Sequence, residues 1–528
     1  MTALSVLKNV LCLNKNQIHV DKIEDKVEVL HKDEDVSKGK GKVEFLDKAD
    51  VEARRAVGGE VFIARDVILI HARPYKRVQC VCPICKKKCP GYDTPHDTES
   101  RWRAPNLHGV SVYVCYVRRR IQCPEHGVQS EYIPWADGTS RFTKSFNDEV
   151  SWLTGRLPKT DIAFYMNIDW RTAGNCLRYT LQRLEPNRRA SRMENLRKIC
   201  VDETSYEKGH KYVTVVYDMD RNQVVWIHKD NGYEVFKQFC LELTPEERSK
   251  IEIVAGDGAR WITSCVKEFF PNAVRCVDPF HVCEWANETL NEVRMSVYAK
   301  AKREYEMQKR TMAQANREFD KTYGKGSRKG TFTEGQQQEL DQLEDVYKNI
   351  KGSKYAVCKN PENCTEDQKE KINVIQQEFP DLFNAYQFKE RLRAIIHMKE
   401  DPEAATKKLD EWIADASNSD MAPIRKLAEK IERNREGILH SIINRANSAK
   451  SEATNTTIKL LIKMGRGYRN LDNLIALVYL KCSALEIPLF NRPSRRTLNP
   501  DKEEIGKKIE QAIQQEQALA KGQMAVTE

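Results

Sequence analysis

The sequence predicts a multidomain α/β chain, with a mixed sheet flanked by helices and a long all-helical stretch after it. Three observations carry this prediction. The 528 residues exceed what one hydrophobic core usually supports. Between residues 198 and 290, β-branched runs alternate with helical patterns, reading strand, strand, strand, helix, strand, helix, strand, helix. From Glu284 to about Ile443 strand signals almost vanish, and Glu, Lys, Gln, Arg, Ala and Leu dominate.

The bulk numbers narrow the class without fixing it. Against 87 Lys+Arg stand 77 Asp+Glu, a net charge of +10, which is compatible with nucleic acid but does not demand it. The N-terminal apolar run is too short for a signal peptide, and no stretch approaches transmembrane length. A soluble, cytosolic protein with reduced thiols and no membrane partner is expected.

In chain order, residues 1–75 show β-like alternation (Val27-Glu-Val-Leu30, Glu60-Val-Phe-Ile63, Val67-Ile-Leu-Ile-His71), broken by a polar stretch from Lys32 to Lys42. Six of the 16 cysteines then fall between Cys80 and Cys123, so 76–135 reads as a metal module rather than a disulfide framework. Its knuckles are Cys82-Pro-Ile-Cys85 and Cys123-Pro-Glu-His126. Each short turn can present two soft or borderline ligands to one tetrahedral Zn²⁺. The wide gap leaves room for an inserted hairpin such as Ser111–Val117, and Cys80, Cys89 and Cys115 compete as ligands. The plainer readings are a redox C-x-x-C or buried free thiols; the second knuckle carries no redox logic.

Residues 140–197 read as a helix-turn-helix. The first helix ends near Met166, Asn167-Ile-Asp169 turns, and the second helix opens with Trp170-Arg171. The exposed start of such a second helix reaches into a DNA groove. Eight basic and two acidic residues lie from Arg171 to Lys198, and Trp170, Arg171, Arg178, Arg188 and Arg189 are the expected DNA contacts. An ordinary helical hairpin with a solvated charged face is the alternative.

In 198–283, Lys198-Ile-Cys-Val-Asp202 and Ile251-Glu-Ile-Val-Ala-Gly-Asp257 read as two short apolar strands, each closed by an aspartate. Between them lie a hairpin (Lys211–Tyr217, Gln223–Ile227) and a helix opened by the capping box Thr244-Pro-Glu-Glu247. Ala273–Val277 is one more strand. Carboxylates at adjacent strand ends can jointly hold hard divalent cations, although such aspartates also cap turns. A third carboxylate is needed. The helical region 284–446, with starts at Thr365-Glu-Asp-Gln368 and Asp401-Pro-Glu403, leads to helices over 448–464 and 472–482. There Glu452 stands two helical turns before Lys459, so the two share a face; spacing alone does not prefer this pair to others. The tail from Asp501 is rich in Gln, Glu, Lys and Ala.

From about residue 76 to 482 the chain resembles the DDE transposases of bacterial insertion sequences, specifically the insertion-sequence L-three family. The resemblance rests on Val201–Tyr217, Asp278-Pro-Phe-His-Val282, Lys459–Asn470, Lys359-Asn-Pro-Glu-Asn363 and Arg435-Glu-Gly-Ile-Leu439. It implies a zinc module, a helix-turn-helix, an RNase H-like core (198–283 and 447–484) interrupted by a helical insertion (284–446), and a tail over 485–528. It implies Asp202, Asp257 and Glu452 as a catalytic triad for two Mg²⁺ or Mn²⁺ ions, with Lys459 on an adjacent phosphate. Asp278 and His281 match an Asp-x-x-His element and are held as supporting residues. Two departures stand out: Ala453 and Asn455-Thr-Thr457 where the family tends to Gly and Asn-Asn-Lys, and Gly258-Ala-Arg where a larger residue is common.

The activity implied is metal-dependent cleavage at terminal inverted repeats followed by strand transfer into target DNA, by a homodimer or higher oligomer associated with the bacterial nucleoid. The alternatives are a catalytically silent, transposase-derived DNA-binding protein and an RNase H-like nuclease acting on RNA or junctions.

Overall fold

The computed structural model describes residues 17–31, 43–57, 62–93, 98–185, 192–209, 211–323, 332–398, 402–445, 449–468 and 470–489. The polar stretch at Lys32–Lys42 and the tail from Asp501 lie outside them. The chain divides into two compact units, Met1–Glu194 with Ile458–Glu528, and Asn195–Thr457.

The first unit opens with β1 (Ile18–His31), β2 (Val43–Leu46), α1 (Lys48–Val57) and β3 (Phe62–Pro74), followed by β4 (Ser100–Leu107) and β5 (Val110–Tyr116). These strands form one sheet in the order β2-β1-β3-β5-β4, with β3 and β5 parallel and the other pairs antiparallel. The stretch Ser111–Val117, read from sequence as belonging to an inserted hairpin between the knuckles, lies largely in the second strand of the β4–β5 hairpin, which joins this sheet through the pairing of β5 with β3. On one face Ile18, Ile70, Trp102, Ala104, Val112 and Val114 pack with Trp135. The alternation of β5, Ser-Val-Tyr-Val-Cys, gives each face its own side chains.

A short hairpin, β6 (Arg120–Cys123) and β7 (Gly127–Ser130), carries the second cysteine knuckle. Three helices follow: α2 (Lys144–Thr154), α3 (Lys159–Met166) and α4 (Trp170–Leu184). The first is capped by Thr143, whose hydroxyl accepts the Phe146 N–H, and Asn167 ends the second in the left-handed conformation (φ 50°). Phe146, Val150, Ile162, Met166, Ala173 and Cys176 form their common core.

The second unit holds β8 (Lys198–Glu207), β9 (Lys211–Asp218), β10 (Gln223–Lys229), α5 (Tyr233–Glu242), α6 (Pro245–Ser249), β11 (Ile253–Gly256), α7 (Arg260–Phe269) and β12 (Val274–Val277). The sheet order is β10-β9-β8-β11-β12; the first two pairs are antiparallel and the last two parallel. This is the mixed sheet expected from the run of three strands followed by α/β alternation. The Thr244 capping box is present at α6, whereas α5, two helices rather than one before β11, was not anticipated.

Thereafter every described regular element is helical. They are α8 (Pro279–Tyr323), α9 (Glu334–Gly352), α10 (Lys354–Cys358), α11 (Glu366–Glu378), α12 (Pro380–Ile396), α13 (Pro402–Ser417), α14 (Ala422–Arg433) and α15 (Arg435–Asn444). One core joins them, from Trp285 and Leu290 of α8 through Leu392 and Trp412 to Ile431 and Ile442. It reaches the sheet through Val277 of β12. Helix α16 (Ala449–Met464) runs through the point of division between Thr457 and Ile458, and α17 (Leu471–Cys482) packs against α4 in the first unit. No helix among the described residues is long and apolar enough to cross a membrane.

Candidate active site and metal centres

Strands β8 and β11 run parallel with Val201 opposite Gly256, so the next residues, Asp202 and Asp257, stand side by side. Asp257 follows the last residue of its strand, as expected. Asp202 does not close its strand: β8 continues to Glu207 because its other edge remains paired with β9, Asp202 opposite Val215. What ends at Val201 is only the pairing to β11. An aspartate beyond the end of a parallel pairing, on a strand still held from its other side, is both rigid and open on one flank.

Asp202 is partly buried and well satisfied. Its Oδ1 accepts the Glu203 amide at 2.8 Å, and its Oδ2 accepts from the Asn455 carboxamide. The buried Tyr217 hydroxyl donates to the other end of that carboxamide. Tyr217 stands opposite Cys200, two residues from Asp202, so all three share one face of the sheet. Asn455 therefore docks α16 on that face, and Glu452 lies one turn earlier on the same helix, exposed to solvent.

Electrostatics follow from this crowding. Burial lifts the Asp202 carboxyl above its ordinary range and the Asp257 charge adds to the lift, while the Glu203 amide, His281 and Asn455 oppose it. Glu203 is raised as well, by burial first and then by Asp257 and Asp202, against a hydrogen bond from Asn231. Both carboxyls are thus held up chiefly by burial, with neighbouring carboxylates adding to the lift.

Asp257 Oδ1 accepts the Ala259 amide at 3.0 Å, and the Asp257 carbonyl accepts from the buried guanidinium of Arg275. Gly258 is where a larger residue would be common, and the reason is local: an added Cβ would lie 2.5 Å from the Trp285 ring. The Lys430 ammonium sits 4.1 Å over the centre of that ring. Asp278 is buried and accepts the Phe280 amide at 3.1 Å, capping the start of α8. His281 Nδ1 lies 3.2 Å from Glu284 Oε2. Glu203 and Tyr217 lie within the family-like stretch Val201–Tyr217 but the sequence assigns them no role, whereas Arg275, Trp285 and Lys430 reach this site only through tertiary packing.

Among the described residues, two groups of ligand-type side chains have their ligand atoms all within 4.8 Å of one another: Cys82, Cys85, Cys123, His126, and His71, Glu99, Cys115. Asp202, Asp257 and Glu452 are not such a set. Ligands for two ions about 3.5–4 Å apart spread over a wider volume than ligands for one.

The first group is the quartet of the two knuckles. Cys85 Sγ lies 3.7 Å from Cys123 Sγ, and His126 Nδ1 lies 3.8 Å from Cys82 Sγ and 3.5 Å from Cys123 Sγ. Tetrahedral zinc with bonds of about 2.3 Å to sulfur and 2.0–2.1 Å to nitrogen sets its ligands roughly 3.5–3.8 Å apart. Burial would raise the Cys123 thiol, but the amides of Glu125 and His126 and the thiols of Cys82 and Cys85 bring it down to about 7. Of the three competitors Cys80 and Cys89 pack in the same small core as the knuckle cysteines, but neither they nor Cys115 belong to the quartet.

In the helical region, Asp169 caps α4 by accepting the Arg171 amide at 2.7 Å. Trp170 is about half exposed, and Arg171 and Arg178 are exposed, with the Arg171 guanidinium over the Trp170 ring. Phe164 and Tyr165 at the end of α3 are also open to solvent. Arg188 and Arg189 lie outside the described residues. Lys459 is exposed on α16, seven residues beyond Glu452.

The chain is thus a mixed α/β protein with two carboxylates side by side where a parallel strand pairing ends. The profile of the ISL3 family of DDE transposases, described as transposase, matches residues 199–478, and the chain belongs to this family. It is 32% identical over 413 residues to the transposase for insertion sequence element IS1557 of Mycobacterium tuberculosis, covering 78% of this chain and 88% of that protein. It is 23% identical over 407 residues to the transposase for insertion sequence element IS1001 of Bordetella parapertussis, covering 76% and 88%. Membership makes DNA transposition the activity class, DNA the partner and a divalent metal the expected cofactor class.

Proposed function

We propose that the chain binds the terminal inverted repeats of its insertion sequence and performs cleavage and strand transfer at a two-metal site formed by Asp202, Asp257 and Glu452. The reading is carried by one observation: Asp202 and Asp257 are register neighbours, and Asn455, on the helix of Glu452, hydrogen-bonds Asp202. In this reading the sheet of β8–β12 is an RNase H-like core, and α8–α15 are a helical insertion within it.

The donor set fits hard cations. All three groups are carboxylates, which suits Mg²⁺ or Mn²⁺, and Asp202 and Asp257 stand side by side where the pairing of β8 and β11 ends. Bound there, a metal pair would activate the attacking oxygen and steady the leaving oxygen of a phosphodiester. Asp202, Asp257 and Glu452 would together hold the ions. Asn455 and the Glu203 amide keep the Asp202 carboxylate from rotating. Lys459 contacts an adjacent phosphate, and Asp278 and His281 support the site from the start of α8. DNA ends are held by the zinc quartet Cys82, Cys85, Cys123, His126 and by Trp170, Arg171, Arg178, Arg188 and Arg189, and pairing two ends requires at least a dimer.

The test uses labelled inverted-repeat duplex with Mg²⁺ or Mn²⁺. Asp202→Ala is expected to retain end binding and to lose cleavage and strand transfer. Undiminished cleavage by that variant would sink the assignment. Binding without nicking by the unaltered chain would instead favour a silent DNA-binding protein.

A further inference from the structure

The second ligand cluster lies in the sheet that the DDE reading leaves without a role. His71 on β3 and Cys115 on β5 are direct partners in the parallel pairing, and Glu99 immediately precedes β4, the next strand. Three strands thus bring together side chains 28 and 44 residues apart in sequence, on a backbone that hydrogen bonds hold fixed. His71 Nδ1 is 2.7 Å from Glu99 Oε1, and Cys115 Sγ lies with both inside 4.8 Å.

The other ring nitrogen is also provided for. His71 Nε2 lies 2.8 Å from Glu24 Oε2, on β1. A metal-bound imidazole characteristically donates its remote N–H to a carboxylate, which fixes the tautomer and the ring plane. Arg101 stands 3.9 Å from the second oxygen of Glu99, leaving Oε1 as the ligand atom. Cys115 is 1% exposed, whereas the His71 and Glu99 side chains are 19% and 24% exposed. The cluster is anchored below and open above.

We propose that His71, Glu99 and Cys115 bind a second Zn²⁺ ion, distinct from the knuckle quartet, with Glu24 orienting His71. One sulfur, one nitrogen and one oxygen suit zinc, which accepts all three, and do not suit Mg²⁺ or Ca²⁺. Closing on the ion requires the His71–Glu99 separation to widen by under 1 Å toward the spacing of a tetrahedral pair, roughly 3–3.5 Å. The fourth position is open to water. The competing state is an imidazolium clamped between Glu24 and Glu99, with Cys115 a bystander thiol. It holds no metal, so metal content separates the two.

The experiment measures zinc per chain in full-length protein purified without chelator, with a competing chromophoric chelator to count sites. Two ions are expected for the unaltered chain, falling to one in Cys115→Ser and to one in Cys82→Ser, as the two clusters require. Cobalt reconstitution of Cys82→Ser should retain a thiolate-to-metal band that disappears when Cys115→Ser is added. Glu24→Gln, which spares every ligand, should weaken the second site about 10–100-fold. A single site in the unaltered chain, or a zinc content that Cys115→Ser leaves unchanged in folded protein, overturns the proposal. Because the unaltered chain is itself titrated, a variant that fails to fold does not protect the idea. The result does not depend on the carboxylate site, whose loss in Asp202→Ala leaves both zinc counts untouched.

Discussion

Asn455 ties the proposed catalytic carboxylate of Asp202 to the helix that carries Glu452, using both ends of one carboxamide: the nitrogen donates to Asp202 and the oxygen accepts from Tyr217. Asn455→Ala removes that grip without touching a proposed metal ligand. Loss of such an outer contact costs about 10–100-fold in metal affinity or activity. Mg²⁺ titrations of cleavage should therefore show a weaker apparent affinity and a lower rate for Asn455→Ala, with measurable activity remaining, whereas Asp202→Ala shows none. A variant with unaltered Mg²⁺ dependence would leave Asn455 a packing residue only. The sequence displayed Asn455 merely as part of a departure after Glu452, because its partner lies 253 residues away. Asp202 and Asp257 were legible since each follows an apolar strand run. That Asp202 sits inside a longer strand was not, because the Thr-Ser-Tyr that follows gives no apolar alternation to extend the strand.

At the level of elements, local chemistry was legible and long-range pairing was not. The capping boxes at Thr244 and Thr365 and the turn at Asn167–Asp169 stand where their residues placed them, since caps and turns are decided within a few positions. The union of β3 with β5, and the single 45-residue span of α8, depend on partners far along the chain. Two interfaces can be tested. Between α2 and α4, buried Asp148 accepts from Thr180 and pairs with Arg183. Burial pushes the Asp148 carboxyl up to about 6 against the opposing pull of Arg183 and Thr180. Between 3.8 and about 6 the folded state therefore holds a proton that the unfolded chain has released. Its contribution is fullest below the unfolded value and is lost as pH rises toward 6. Arg183→Ala strips the charge partner and should cost about 3–5 kcal/mol at neutral pH, less under acid, read as the pH dependence of the first calorimetric transition. A loss that is the same at all pH values would contradict the account. Against β12, α15 packs so closely that a Cβ on Gly437 would lie 2.8 Å from Val277 Cγ2, while Ser441 Oγ donates to the Val277 carbonyl at 2.5 Å. Gly437→Ala should destabilise by about 1–3 kcal/mol in denaturant melts. No change would mean the helix can shift without loss.

For the molecule as a whole, the decisive question is whether holding DNA and cutting it are separable tasks, as two compact units suggest. Affinity for duplex comes largely from cations that displace condensed counterions, and each phosphate contact contributes about 0.9 to the slope of log affinity against log salt. Arg171 and Arg178 are exposed on α4 and belong to the first unit; Asp202 and Asp257 belong to the second. Arg171→Ala and Arg178→Ala should each weaken repeat binding and reduce the salt slope by about 1. The Mg²⁺ dependence of cleavage at saturating protein should stay unaltered. Asp202→Ala should do the reverse, keeping the slope while abolishing cleavage. Trp170→Ala separates groove contact from phosphate contact: if the ring reads bases, discrimination between repeat and unrelated duplex falls while the slope holds. If instead Asp202→Ala flattened the salt dependence as much as the arginine variants do, DNA would be gripped chiefly at the carboxylate unit. The helix-turn-helix reading of α3 and α4 would then give way to an ordinary helical hairpin with a solvated basic face.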